Sequence, residues 1–436
     1  MLHPNFTSEE VKTHYEKVKF VNDFYNGVDT ASTYIIQYSG ESDTDYKKRL
    51  ALRKLSNYTK KAVTSIRDII YRKPIDMSEI ESSPLAPYME TIDYQNNLTN
   101  FAKQLTVSAA RDGHTYLLVE KEPYLDVQTR ADELAKRPYF VNVQRQMIRN
   151  YKMDEMGNFT MITYDESYIA EAGTYSQSIK TQQRVYFDDG RVEIWRQSGK
   201  RNYMHESYDT GLNFIPIIKI GRDAIPPFYD LARINMNHMN LSSEQRYYAR
   251  IAAYPTPVVY MPNSNETGLK VGVTNGISFS SPRNESGFEW VELSGHSNEI
   301  LASLIQHDEE DMRSYLAELV SDGIQKTAKE VSIQNTDNES KLGYYAEIVE
   351  EGINKAFKIM AFYQGVQNFD SKIYINRDYF DKRLSDQEVT AYKGLYTDGV
   401  ISWDKLLVLL QEGEILPTMT KEDLQLEKAL INNNMV

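Results

Sequence analysis

The sequence predicts an α+β fold, on three observations. Helix-period segments fill roughly the first 110 residues, and period-two apolar stretches separated by turn-formers then run to about Gly221. Two long helix-period stretches of matched length, Phe228–Ala253 and Ser297–Val320, bracket about forty residues of short strands. A third such stretch resumes at Leu342, beyond a polar connector of about twenty residues that is unusual inside a compact domain.

In chain order, Thr7-Ser8-Glu9-Glu10 has a capping-box pattern, and the helix after it carries Val11, Tyr15, Val18 and Val21 as far as Asn26-Gly27. The acidic run Glu41–Asp45 opens a second helix, expected to continue through Leu50, Tyr58 and Ile66 to Ile70. Lys73-Pro74 stops it, because proline disfavours helix at the residue before it. A third helix over about Asn100–Ala110 is closed by Asp112-Gly113 and leads into the strand Thr115–Val119. Further strands are expected at Tyr139–Val143, Phe159–Tyr164, Arg184–Phe187, Val192–Trp195 and Phe214–Ile220, mostly antiparallel, with Asp188-Asp189-Gly190 as a hairpin turn.

Pro226-Pro227 suits the first turn of the next helix, which ends before Tyr254-Pro255. Its polar residues (Asn235, Asn237, His238, Asn240, Ser242 and Ser243) are too many for a helix buried on all sides. At 1.5 Å per residue this helix spans roughly 39 Å and its later partner roughly 36 Å. Val258–Tyr260, Leu269–Val273, Ile277–Phe279 and Phe288–Val291 supply short strands between them. A chain that leads out along one long helix and back along another holds the intervening module away from its main body. The polar stretch Ser321–Ser340 reads as a loop, and the following helix carries Leu342, Tyr345, Val349, Ile353, Phe357 and Met360 on one stripe. A strand-like Lys372–Ile375, short helices at Ser385–Leu395 and Ser402–Gln411, and a polar helix from Lys421 complete the chain.

Of the 436 residues, 41% are hydrophobic and 25% charged, enough apolar material for a sizeable core. No run of about eighteen apolar residues exists, and Met1–Asn5 lacks a basic-then-apolar leader, so the expectation is a soluble protein made where it acts, with no membrane partner. The absence of cysteine removes disulfide and thiolate chemistry. A net charge of −13 without a basic tail excludes tight binding of nucleic acid over the whole surface, while leaving room for loose guidance of a polyanion. The 32 tyrosines suit wide subunit interfaces, and equally suit a compositional bias.

Catalytic motifs are missing. Gly199-Lys200-Arg201 lacks the earlier glycine and the hydroxyl residue of a phosphate-binding loop, and no Gly-x-Gly-x-x-Gly occurs. The seven histidines show no zinc spacing, so neither metal nor other cofactor is expected. Gly295-His296-Ser297 hints at a nucleophile elbow, but Glu299 stands where the closing glycine belongs, so Ser297 reads as a helix cap. Asp308, Glu309, Glu310 and Asp311 would point around most of a helix, which suits a solvated or lumen-facing acidic band better than a metal site. Gln325, Lys326 and Lys329 place two lysines three apart within the polar connector.

The chain resembles the portal (head–tail connector) proteins of tailed bacteriophages. The resemblance runs in order through Asp23–Gly27, Asp45–Arg49, Ile70–Pro74, Ala109–Gly113, Pro227–Asn235, Ala253–Val259, Lys326–Glu330 and Thr397–Ser402. Each match is weak alone; their order and spacing carry the likeness over nearly the whole length. It implies a ring of about twelve copies around a channel for double-stranded DNA, each copy needing two complementary faces. Residues 1–224 would form a wing, 225–253 and 294–320 a two-helix stem, and 254–293 a clip docking the terminase large subunit and later a head–tail adaptor. Residues 321–340 would hold a tunnel loop with Gln325, Lys326 and Lys329 at the channel, 341–380 a long helix returning to the wing, and 381–436 a short helical crown. The implied setting is the capsid vertex of a virion, beside major capsid and scaffolding proteins, after assembly in host cytoplasm. Two other readings stay open: a soluble α+β enzyme such as a carboxylate-dependent hydrolase, which no spacing supports, and another virion structural protein.

Overall fold

The computed structural model describes residues 4, 6–121, 137–172, 176–198, 201–253, 256–260, 287–291, 295–319, 328–377, 379, 386–412 and 415–416. It divides into two units, Met1–Asn376 and Arg377–Val436.

The first unit opens with α1 (Glu9–Asn26), capped by Ser8, whose Oγ accepts from the Val11 amide; the cap is thus one residue later than the sequence pattern placed it. The helix expected to run unbroken to Ile70 is two: α2 (Asp43–Ala51) and α3 (Tyr58–Ile70). Asn57 makes the break. Its Oδ1 accepts from the Lys60 amide at 2.8 Å and its Nδ2 donates to the Phe24 carbonyl at 2.8 Å, so one side chain starts α3 and ties it to α1. Helix α4 (Leu98–Asp112) ends on Gly113, left-handed at φ 83°, where a Cβ would meet the Asp223 carbonyl oxygen at 2.8 Å.

Strand β1 (Thr115–Glu120) is buried along its whole length. Antiparallel neighbours β2 (Tyr139–Val143) and β8 (Ile217–Ile220) flank it. A second, five-stranded antiparallel meander runs β3 (Ile148–Met153), β4 (Phe159–Ala172), β5 (Gln177–Phe187), β6 (Arg191–Ser198) and β7 (Arg201–Asp209). Tyr116, Leu118 and Ile217 of the first sheet share one core with Ile162, Tyr164 and Tyr186 of the second. The turn at Asp188–Gly190 forms as expected, with Gly190 at φ 87°. Strands β3 and β7 had no counterpart in the sequence reading, and β4 and β5 run further than it placed them. Their extra pairs, such as Glu166 with Gln182 and Ser167 with Thr181, are polar, so the ladder continues where the apolar alternation fades.

A buried charge network joins the sheets. Glu120 accepts from Arg184 Nη1 at 2.8 Å, from the Tyr208 hydroxyl at 3.2 Å, and from the Tyr186 hydroxyl. Burial pushes the Glu120 carboxyl up, against the pull of Arg184 and the two phenols.

Helix α5 (Tyr229–Ala252) leads to strand β9 (Thr256–Tyr260), which pairs antiparallel with β10 (Gly287–Val291); helix α6 (His296–Leu319) follows. The strands expected at Leu269–Val273 and Ile277–Phe279 lie outside the described residues. Helix α7 (Ala328–Tyr363) then packs on β1 and β8, so closely that a Cβ at Gly352 would stand 2.7 Å from Ile220 Cδ1. Its start corrects the loop expected at 321–340: residues 328–340 are helical. An apolar stripe reports what a helix packs against, whereas propagation of a nucleated helix costs only about 0.7 kcal/mol or less per residue even through Ser, Asn, Thr and Asp, and needs no such stripe. Lys372–Ile375 contributes a single bridge, Asp76 with Tyr374, rather than a strand.

In the second unit, α8 (Asp386–Thr397) and α9 (Trp403–Glu412) are joined through left-handed Gly399. Leu406 and Leu407 are buried, and the Tyr396 and Trp403 rings lie 5.4 Å apart. The helix expected from Lys421 lies outside the described residues.

Candidate functional site

The two helices flanking the strand pair are each 24 residues long, roughly 36 Å of rise apiece. They run antiparallel and in register. His238 stands fourteen residues before the end of α5 and Glu309 thirteen after the start of α6, and His238 Nε2 lies 3.3 Å from Glu309 Oε1.

Burial divides the pair near that contact. Towards the N-terminal helices, Leu231, Ala232 and Met239 of α5 and Met312 of α6 are fully buried. Towards the strand pair, no described residue of α5 after Ser243, and none of α6 before Met312, is buried. Ile251, Ile300 and Leu304 are 43%, 50% and 46% exposed there.

The polar residues of α5 reverse a sequence expectation. The helix does have an open side, but five of the six polar residues that argued for one are buried. Asn240 Oδ1 accepts from the Ile36 amide at 3.0 Å, and its Nδ2 donates to the Tyr34 carbonyl at 3.3 Å. Asn235 Nδ2 donates to the Ser56 carbonyl at 2.8 Å. Ser243 Oγ accepts from Arg49 Nη1 at 3.2 Å. Arg49, 2% exposed, also forks onto Glu41 with two bonds of 2.8 Å, donates to the Ile36 carbonyl, and lies over the Tyr38 and Tyr46 rings. These side chains pair main-chain groups of residues 34–36, where the 3-10 turn Ser32–Tyr34 ends.

The acidic band falls into two pairs, as a turn of about 100° per residue requires. Asp308 and Glu309 are half-buried against α5, and Glu310 and Asp311 are exposed. Glu309 sits between His238 and Arg313 Nη2, the latter at 3.1 Å. Burial pushes the Asp308 carboxyl up, and its Oδ2 is enclosed without a hydrogen-bond partner. Glu310 accepts from Gln306 at 2.8 Å, and Asp311 lies 3.8 Å from the His307 ring. Among the described residues no cluster of three or more His, Asp or Glu side chains is placed to hold a metal. Nothing in sequence spacing announced His238 as the partner of Glu309; it is a contact between positions 71 residues apart.

The remaining predicted residues are not brought to this band by any described contact. Gln325 and Lys326 lie outside the described residues, and Lys329 lies in the first turn of α7, where only the backbone is described.

A family model described as a domain of unknown function (DUF4055) matches residues 227–364. That range takes in α5, β9, β10, α6 and α7 whole. Among curated proteins nothing matches. Three solved structures similar to this chain come from gene transfer agent (GTA) particles. One, titled as the virion of a native GTA particle, has a TM-score of 0.43 at 11% identity and covers 88% of this chain and 96% of its own. A second, from the neck of an empty GTA particle computed with C6 symmetry, has a TM-score of 0.40 at 12% identity, covering 83% and 90%. A third, from the neck of a native GTA particle computed with C12 symmetry, has a TM-score of 0.39 at 11% identity, covering 81% and 89%.

Proposed function

We propose that this chain is a portal-type subunit: about twelve copies close into a ring at the capsid vertex of a phage-like particle, and double-stranded DNA is packaged and ejected through its channel. The observation that carries this reading is the helix pair. Two antiparallel helices of equal length are fastened to the N-terminal helices α1, α2 and α3 at one end, lose their burial along their length, and bracket a strand pair at the other.

In a ring, the exposed apolar residues of the far half, Ile251, Ile300 and Leu304, meet the neighbouring copy. The exposed acids Glu310 and Asp311 face the lumen, where they repel duplex phosphates and let DNA slide. Twelve copies at −13 each give a ring of about −156. The strand-pair end docks the terminase large subunit and then a head–tail adaptor, and the other end meets capsid and scaffolding proteins. The role is structural rather than catalytic.

Negative-stain electron microscopy of the purified chain tests this. Rings with a stain-filled centre are expected; a field of separate particles without a central opening refutes the reading. Lys326 and Lys329 are assigned brief phosphate contacts in the channel. Replacing both with alanine is expected to lower the DNA retained per capsid, and unchanged packaging and retention would remove that role.

A further inference from the structure

A cavity of about 170 Å³ lies among α1, the start of β1, the 145–147 turn, β3 and β8. Its charged lining is Arg145, Lys219 and Arg222 against one carboxylate, Glu10, with His14 and His114 beside them. The Glu10 carboxylate is already engaged by the Tyr151 hydroxyl. Arg145 is spent as a clamp: Nη1 donates to the Asp112 carbonyl at 2.7 Å and Nη2 to the Ala224 carbonyl at 2.6 Å, so it offers charge but little further bonding. Lys219 and Arg222 form no ion pair with a described residue, and His14 Nδ1 is enclosed without a hydrogen-bond partner.

Like charges held together in this way repel. Burial and then the Arg145 charge push the Lys219 amine down, and burial followed by Arg145 and Lys219 pushes the His114 ring to about 3. The frame that holds them is fixed. Gly221, at φ 93°, sits where a Cβ would stand 2.6 Å from the Gly113 carbonyl oxygen, and His114 Nδ1 is 2.9 Å from the Asp223 carbonyl oxygen.

We propose that this cavity is a binding site for a small phosphate-class dianion. Three cations facing one carboxylate leave two positive charges, which match the two negative charges of a dianion. The volume is several times the roughly 30 Å³ share of a water in the liquid, room for one phosphate and a little water. Lys219 and Arg222 supply the unspent donors, and His14 Nδ1–H can add a third. The occupant would brace α1 to the segment 219–224 that feeds α5.

The test is equilibrium dialysis of the full chain against radiolabelled inorganic phosphate in chloride buffer, with Lys219→Gln/Arg222→Gln, Arg222→Gln and Arg222→Lys as variants. Saturable binding of one phosphate per chain is expected, with a loss of about tenfold or more in the double variant, retention in Arg222→Lys, and no competition by acetate. Neither replaced side chain belongs to the apolar core, so the double variant should melt with the wild type in chloride. Should it melt early, the Arg222→Gln single variant carries the test instead. No saturable binding by the wild type, equal binding by a variant that melts normally, or displacement by acetate at equal concentration overturns the proposal.

Discussion

The near and far halves of the α5–α6 pair use the same two helices for opposite ends. In the near half, polar side chains are buried and apolar ones packed: Asn235, Asn240 and Ser243 bond to the chain around residues 34–56, and Met239 joins the core with Val21 and Phe24. In the far half, apolar side chains stand open to water, and polar contacts, such as His296 Nδ1 with Glu299 at 3.7 Å, are exposed. Stability is therefore concentrated where the pair packs on the N-terminal helices. The far half contributes little to the fold of one chain and is left to serve contacts beyond it.

The contrast can be broken most directly at Arg49. Arg49→Met strands Glu41, unpairs the Ile36 carbonyl and leaves Ser243 only its bond to the Asn240 carbonyl, with an expected loss of about 3–5 kcal/mol in urea unfolding. A loss near zero would mean that the near half is not held by this residue. Asn240→Ala leaves the Ile36 amide and Tyr34 carbonyl without their partner and is expected to cost about 1–3 kcal/mol in the same assay. Ile300→Ser and Leu304→Ser should change the unfolding of a single chain by less than about 0.5 kcal/mol. Size-exclusion elution should nevertheless shift towards smaller species, separating assembly from folding. Equal destabilisation by far-half and near-half substitutions would erase the comparison.

The smallest effect is expected at Asp308. Folding raises the pKa of this acid, so the folded chain binds its proton more tightly than the unfolded one. Stability from this group is therefore greatest at low pH and falls as pH climbs from the ordinary aspartate range through the raised value. Asp308→Asn should flatten that fall and be slightly more stable than the wild type at pH 7, read from urea midpoints between pH 4 and 7. A steeper fall in the variant would contradict the burial argument.

The elements legible in the sequence were those whose own residues hold the signal. The matched helices α5 and α6 fell within a residue or two of their expected bounds, and the Asp188–Gly190 turn, set by a left-handed glycine, formed where expected. What stayed hidden depended on distant partners. A polar side chain in a sequence announces a hydrogen bond but not its address, so Asn240 read as surface although it serves Ile36, 204 positions away. Asn57 went unnoticed as a helix start because Tyr58 and Ile66 continue the apolar period across the break. Residues 328–340 read as a loop because they lack an apolar stripe. Of the acidic band, sequence gave the helix and the four carboxylates but not their division into a half-buried and an exposed pair, since that depends on where α5 lies.

The central claim is that the open half of this helix pair is closed by further copies of the same chain around a channel. Multi-angle light scattering of the purified full-length protein at physiological salt measures it most directly. A particle of about 600 kDa, twelve copies of the 50.4 kDa chain, is the expected result. A single species near 50 kDa at every concentration examined would contradict it.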